Sequence, residues 1–151
     1  MNNEVIGMIT AKSGNIISIR MYDEEDFFAN LGEVVKKYNL KSGIFICALG
    51  MLKKVRLNYL IYPKEPGKYL SKDHDGPFEL TSLVGNIGFF NDELVVHAHA
   101  VLSDKENNCI GGHLAKGTVN ATLEVFIIVP DTEFKRHFDE KTGLKILDFK
   151  D

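Results

Sequence analysis

The sequence predicts an α+β fold, a mostly antiparallel β-sheet flanked by one main helix. Short runs rich in Ile, Val and Leu, partly alternating with polar residues, recur along the chain between Gly, Asn, Asp and Pro clusters. One long stretch, from Asp23 to Tyr38, carries a helical period. The resulting count is about seven or eight strands against one or two helices, which is the α+β pattern.

Length and composition set the outer bounds. The 151 residues make a single domain, residues 1–151, and 44% hydrophobic with 26% charged residues is ordinary for a globular chain. The net charge is −3, and only Arg20, Arg56 and Arg136 are arginines. Arginine reads guanine edges and phosphates, so its scarcity argues against sequence-specific DNA recognition. Cys47 and Cys109 are isolated, which fits a reducing cytoplasm better than a disulfide framework. Cys109 reads as a small buried hydrophobe rather than a ligand. The first residues show no basic segment followed by a long apolar core, so no signal peptide is expected. No apolar run approaches the roughly 20 residues of a membrane helix.

Taken in order, Val5 to Ala11 and Ile16 to Met21 read as a hairpin around the turn Lys12-Ser13-Gly14-Asn15. Asp23 is the expected helix N-cap, with Glu24, Glu25 and Asp26 loading the first turn. Phe27, Leu31, Val34, Val35 and Tyr38 form the helical stripe, with Lys36 and Lys37 near its end and Asn39 to Gly43 marking the exit. Ile44 to Leu49 is a buried strand that Gly50 interrupts, and Val55 to Ile61 is a second strand. Tyr62 to Pro77, with its prolines and glycines, reads as a long loop, in which Asp73-His74-Asp75 could bind a cation but is explained at least as well by exposure. Phe78 to Ile87 and the strand after the Asn91-Asp92 turn form an antiparallel pair. Val119 to Val129 is the longest strand, with Val119, Ala121, Leu123, Val125 and Ile127 on one face. Asp131 to Glu140 reads as a short helix on the i, i+4 spacing of Phe134 and Phe138, and Ile146 to Phe149 as a last strand.

The chemistry concentrates in Val95-Val96-His97-Ala98-His99-Ala100-Val101-Leu102 and the following Ile110-Gly111-Gly112-His113-Leu114. On a strand, His97 and His99 project to one face. The turn Ser103 to Asn108 brings His113 back beside them. Three neutral imidazoles with one position left open are the protein half of a catalytic-type zinc site. A structural histidine cluster is the competing reading. Glu79 and Glu124 are the candidate general bases, if either reaches a metal-bound water.

Four segments resemble the PPC domain, the plants and prokaryotes conserved domain. They are Leu80-Thr81-Ser82-Leu83-Val84-Gly85-Asn86-Ile87, His97-Ala98-His99-Ala100-Val101-Leu102-Ser103-Asp104, Ile110-Gly111-Gly112-His113-Leu114 and Val119-Asn120-Ala121-Thr122-Leu123-Glu124-Val125. Ala48-Leu49-Gly50 and the strand after it are similar too. The resemblance implies an antiparallel sheet with a flanking helix, a homotrimer, and zinc or another divalent metal on His97, His99 and His113. It also carries the label of a predicted DNA-binding protein, because plant relatives join the domain to AT-hooks. This chain has no Arg-Gly-Arg-Pro hook. The leading expectation is therefore a small cytoplasmic, trimeric, metal-binding protein, with enzymatic action on a small-molecule ligand left open. The alternative is a DNA-associated or protein-interaction module using the basic residues Lys36, Lys37, Lys41, Lys53, Lys54 and Arg56.

Overall fold

A computed structural model describes residues 7–148. Nine strands and one α-helix are found there, in one sheet that is antiparallel apart from a single parallel bridge. The elements are β1 (Ile9–Ser13), β2 (Ile16–Tyr22), α1 (Phe27–Tyr38), β3 (Gly43–Leu60), β4 (Tyr69–His74) and β5 (Phe78–Phe90). They continue with β6 (Glu93–Ser103), β7 (Cys109–Ile128), β8 (Lys135–Asp139) and β9 (Leu144–Asp148).

The β1–β2 hairpin forms as expected around Gly14, although Val5 and Ile6 lie outside the described residues. Ile17, Ile19 and Met21 of β2 are buried, and the residues between them face outward, which is the period of two made physical. Helix α1 lays Phe27, Leu31, Val34 and Val35 on the same core as Leu123, Val125 and Ile127 of β7. Truncating a fully buried ring such as Phe27 to Ala costs about 3–5 kcal/mol.

The helix begins three residues later than the acidic run suggests. Asp26 is the N-cap, its Oδ1 accepting from Ala29 N at 2.8 Å, and no acidic residue stands in the first turn. The upstream carboxylates are drawn to other donors. Asp23 accepts from Lys53 and from Ala121 N, and Glu25 accepts from the backbone of Met8 and Tyr22. At the other end Asn39 takes a left-handed conformation and closes the helix behind Lys36 and Lys37.

The expected strand break at Gly50 is absent. The stretches on either side of Gly50 form one strand, β3, and those on either side of Gly117 form one strand, β7. Gly50 permits a bend rather than a stop: at φ +133 its missing Cβ lets the Thr122–Leu123 backbone lie against it. The register slips between Gly50 and Met51, and Ala121 on the facing strand bulges out at φ +61, exposed rather than in the core with Val119 and Leu123. The expected long loop contains β4, which pairs with the second half of β3 from Leu60↔Tyr69 to Val55↔His74.

The expected helix over Asp131 to Glu140 is instead β8, paired with β9. Turn chemistry overrides the spacing of the two phenylalanines. Asp139 Oδ2 accepts from Thr142 N at 2.9 Å, and Gly143 takes φ +71, so the chain reverses within four residues. Phe138 is left 54% exposed. Of the expected last strand, Phe149 lies outside the described residues.

The β5–β6 pair forms as expected, with Asn91 and Asp92 both at positive φ in the turn. β3 pairs with β5, β5 with β6, β6 with β7 and β7 with β3, so these four strands close into a ring. Ala98, Ala100 and Leu102 of β6 point into it and are buried. His97 and His99 point out.

Candidate metal centre

Register builds the triad. On β6, His97 and His99 alternate with buried alanines and so share the outward face. The turn before β7 is tied by Asp104, whose Oδ1 accepts from the backbone of Glu106 and Asn108, both at 2.9 Å. That turn sets Ser103 opposite Cys109, which stands exposed at the start of β7 rather than buried as expected, and, four pairs further on, His99 opposite His113. Directly paired residues project to the same side, so the third imidazole joins the first two. Gly111 and Gly112 sit in the intervening pairs; a Cβ on Gly111 would stand 2.9 Å from the Ala100 carbonyl oxygen.

The three rings converge. Their centroids are 5.1 Å (His97–His99), 5.2 Å (His97–His113) and 5.6 Å (His99–His113) apart. His97 Nε2 and His99 Nε2 are 3.2 Å apart, and one nitrogen from each of the three rings falls within 4.8 Å of the others. In a tetrahedral zinc site with Zn–N near 2.0–2.1 Å, ligand nitrogens are separated by roughly 3.3 Å. The first pair already matches, and the third ring's nitrogen lies within 4.8 Å of both. Two imidazole lone pairs aimed at one point repel each other unless a proton or a cation stands between them. The donor set therefore fits a zinc-type ion. His99 is exposed while His97 and His113 are half-buried, which leaves an open side toward solvent.

Electrostatics keeps the site neutral and ready to donate. Burial, reinforced by the nearby charges of His113, His99 and Arg136, lowers His97 from its ordinary 6.5 to about 4. Burial, then His99, lowers His113 as well. Unfolded, His97 takes a proton near 6.5; folded, it resists protonation down to about 4. Between those values the unfolded chain holds the extra proton, so stability is fully present above the window and falls as pH drops through it. For a half-buried ring, screened by solvent, the loss is on the order of 1–2 kcal/mol. Urea denaturation of chelator-treated protein at neutral pH and at pH near 4.5 should show it, and His97→Ala should flatten the slope. Stability that rises on acidification over that range would contradict the assignment.

Next to the triad lies a cavity of about 460 Å³. Tyr69, Val95, His97 and His113 form one side, and Arg136 with residues of β9 the other. Tyr69 lies 5.6 Å from the His113 ring, centroid to centroid. Arg136 was not legible as a site residue. Asn86, opposite His97, orients it by accepting from its Nη2 at 2.5 Å. The candidate bases Glu79 and Glu124 are not brought to the triad within one chain. Glu79 sits opposite Met51 and Ser103 at the far end of β5, and Glu124 sits between Leu49 and Arg20 in the other half of β7. Both are exposed.

An outward-facing histidine triad on a closed antiparallel ring, with a cavity at its side, defines a β-sheet protein with side chains that could hold a metal ion. The chain belongs to the Plants and Prokaryotes Conserved (PCC) domain family, whose model matches residues 8–130. Solved structures share the fold. A candidate DNA-binding protein from Bacteroides thetaiotaomicron is 21% identical, with a TM-score of 0.87 over 94% of this chain and 97% of that one. A plant- and prokaryote-conserved protein from Pyrococcus horikoshii is 24% identical, with a TM-score of 0.79 over 95% and 96%. A metal-containing protein from Archaeoglobus fulgidus is 25% identical, with a TM-score of 0.79 over 92% and 97%. No curated protein matches the chain. Among the described residues, no helix is long and apolar enough to cross a membrane.

Proposed function

We propose that this chain is a metal-binding protein that holds one zinc-type divalent ion through His97, His99 and His113, with a coordination position open to a small-molecule ligand. The observation that carries the reading is the convergence of three imidazole nitrogens within 4.8 Å on the outward face of the ring. The metal-containing relative from Archaeoglobus fulgidus supports it. A zinc-type ion so held supplies Lewis acidity and lowers the pKa of bound water. The chain's own part is to keep His97 and His113 neutral, to fix their directions by strand register, and to line the adjoining cavity. No carboxylate base belongs to the proposal, because Glu79 and Glu124 occupy other stretches of the sheet. Metal content by plasma mass spectrometry, on protein purified without a nickel column, tests the reading.

A homotrimer is part of the proposal. Ile44, Leu49, Val84 and Val101 are exposed on the outward face that also carries the histidines: Val84 is directly opposite His99, and Ile44 is opposite Asn86. An apolar surface of this kind marks an interface. Light scattering coupled to size exclusion should give three chains per particle, and a monomer at micromolar concentration would remove this part. With Cys47 and Cys109 both free, a cytoplasmic location completes the proposal.

The DNA-associated reading draws on the relative from Bacteroides thetaiotaomicron. The expected basic patch gives it little support. Lys53 pairs with Asp23 and Glu24, Arg56 pairs with both oxygens of Asp73, and Lys36 pairs with Glu33. Cations already neutralised by the chain's own carboxylates release few counterions from a phosphate backbone.

A further inference from the structure

The wall of the cavity facing the triad comes from the β8–β9 hairpin, which lies beyond the residues 8–130 matched by the family. Arg136 is set into that wall and is only 9% exposed. Its Nη1 donates to the Lys145 carbonyl at 2.8 Å and its Nη2 to Asn86 Oδ1 at 2.5 Å, while Nε finds no acceptor. Both acceptors are neutral. Among the described residues, no carboxylate lies within ion-pair distance of this guanidinium. A buried charge without a counter-charge is strongly unfavourable, and a guanidinium has five N–H donors of which two are used here. The remainder of the lining is mostly apolar, with Val95, Val96, Leu144, Ile146 and Leu147 around it. Lys145 does not serve as the missing partner's main site: its Nζ is drawn to the Phe90 ring at 4.4 Å and to Glu93 at 3.8 Å.

We propose that this cavity takes a small organic carboxylate with a short apolar body, its carboxylate against Arg136 and its other end toward His97 and His113. The inference deepens the metal-site reading, on which only the orientation of the far end rests. An apolar wall with one guanidinium, already fixed by two hydrogen bonds, suits a single carboxylate. The single charge of a carboxylate matches the single unpaired guanidinium, whereas a phosphate dianion brings twice that charge into a mostly apolar wall.

Calorimetric titration of butyrate into zinc-loaded and chelator-treated protein tests it, with butyramide and inorganic phosphate run in parallel. Butyrate should bind both forms of the protein, and the two other probes should bind at least about tenfold more weakly, the scale of one charge-assisted hydrogen bond. Arg136→Gln should weaken butyrate by a similar factor without changing zinc content, and Arg136→Lys should restore part of the loss. Leu144→Trp, which fills the cavity and leaves Arg136 in place, should block binding too, and decides the matter if circular dichroism shows the Arg136 variants unfolded. Equal binding by wild type and the folded Gln variant would overturn the proposal. So would a preference for phosphate, equal binding of acid and amide, or no binding of butyrate at all. Arg136-dependent butyrate binding in a protein that takes up no zinc would sink the metal reading and leave this one standing.

Discussion

Protein purified without a nickel column should carry about one zinc ion per chain, and His97→Ala and His113→Ala should each lose it. On the proposed reading three nitrogens hold the ion, and no other group of three metal-ligating side chains meets the geometry among the described residues. Removing one leaves two donors, too few to fix a zinc ion against water. Loss of a mere supporting residue costs 10–100-fold in metal affinity, so loss of a ligand should exceed about 100-fold. His97→Ala and His113→Ala should remain folded, because both rings stand on the outward face and the core behind them is made by Ala98, Ala100 and Leu114. Metal-free wild type, even after zinc is added and the excess removed, would end the metal reading.

A large loss of stability is expected from Gly85→Ala. Gly85 on β5 pairs with Ala98 on β6, beside His97, and takes φ +155. A Cβ there would overlap the His97 carbonyl oxygen and stand 2.8 Å from Ala98 Cα. Both obstacles are backbone of a central strand, so β5 and β6 must part. Strain at such a φ costs about 1–3 kcal/mol by itself, and separating the strands raises the total to roughly 3 kcal/mol or more. Zinc affinity should fall with it, because the displaced backbone carries His97. Gly32→Ala is the natural control. That glycine lies within α1 with open space at the Cβ position, and the change should stabilise the protein by about 0.5–1 kcal/mol. Urea midpoints for the two variants moving in the same direction would contradict this account.

The features legible in the sequence are those whose cause is local. Alternation in Ile17-Ser18-Ile19-Arg20-Met21 already says which side chains meet the core, because a strand has no other way to place them. The stripe from Phe27 to Val35 says the same for a helix. Asn91-Asp92 and Ser103 to Asn108 announce their turns through side chains suited to positive φ or to capping the backbone. With those turns in place, the shared face of His97, His99 and His113 follows from the period of two, and the resemblance already singled out the same three residues.

Tertiary structure decided what depends on distant partners. Glycine punctuates a sequence, yet Gly50 bends β3 without ending it, because β5 and β7 hold the strand on both sides of the kink. The acidic run before α1 resembles a helix start, but Lys53 and the Ala121 amide, far along the chain, claim Asp23. Phe134 and Phe138 have helical spacing, but the Asp139–Gly143 turn and pairing with β9 place that segment in a strand. Arg136 reaches the triad's cavity only through that hairpin, and no local pattern marks it. Glu79 and Glu124 are candidate bases only if register brings either to the histidines, and within one chain it carries both away from them. By itself the sequence determined the alternation, the helix stripe, the turns and the shared face of the three histidines, all of which rest on interactions within a few residues. The long bent strands, the ring they close and the charged wall of the cavity rest on contacts between residues remote in sequence, which only the assembled sheet specifies.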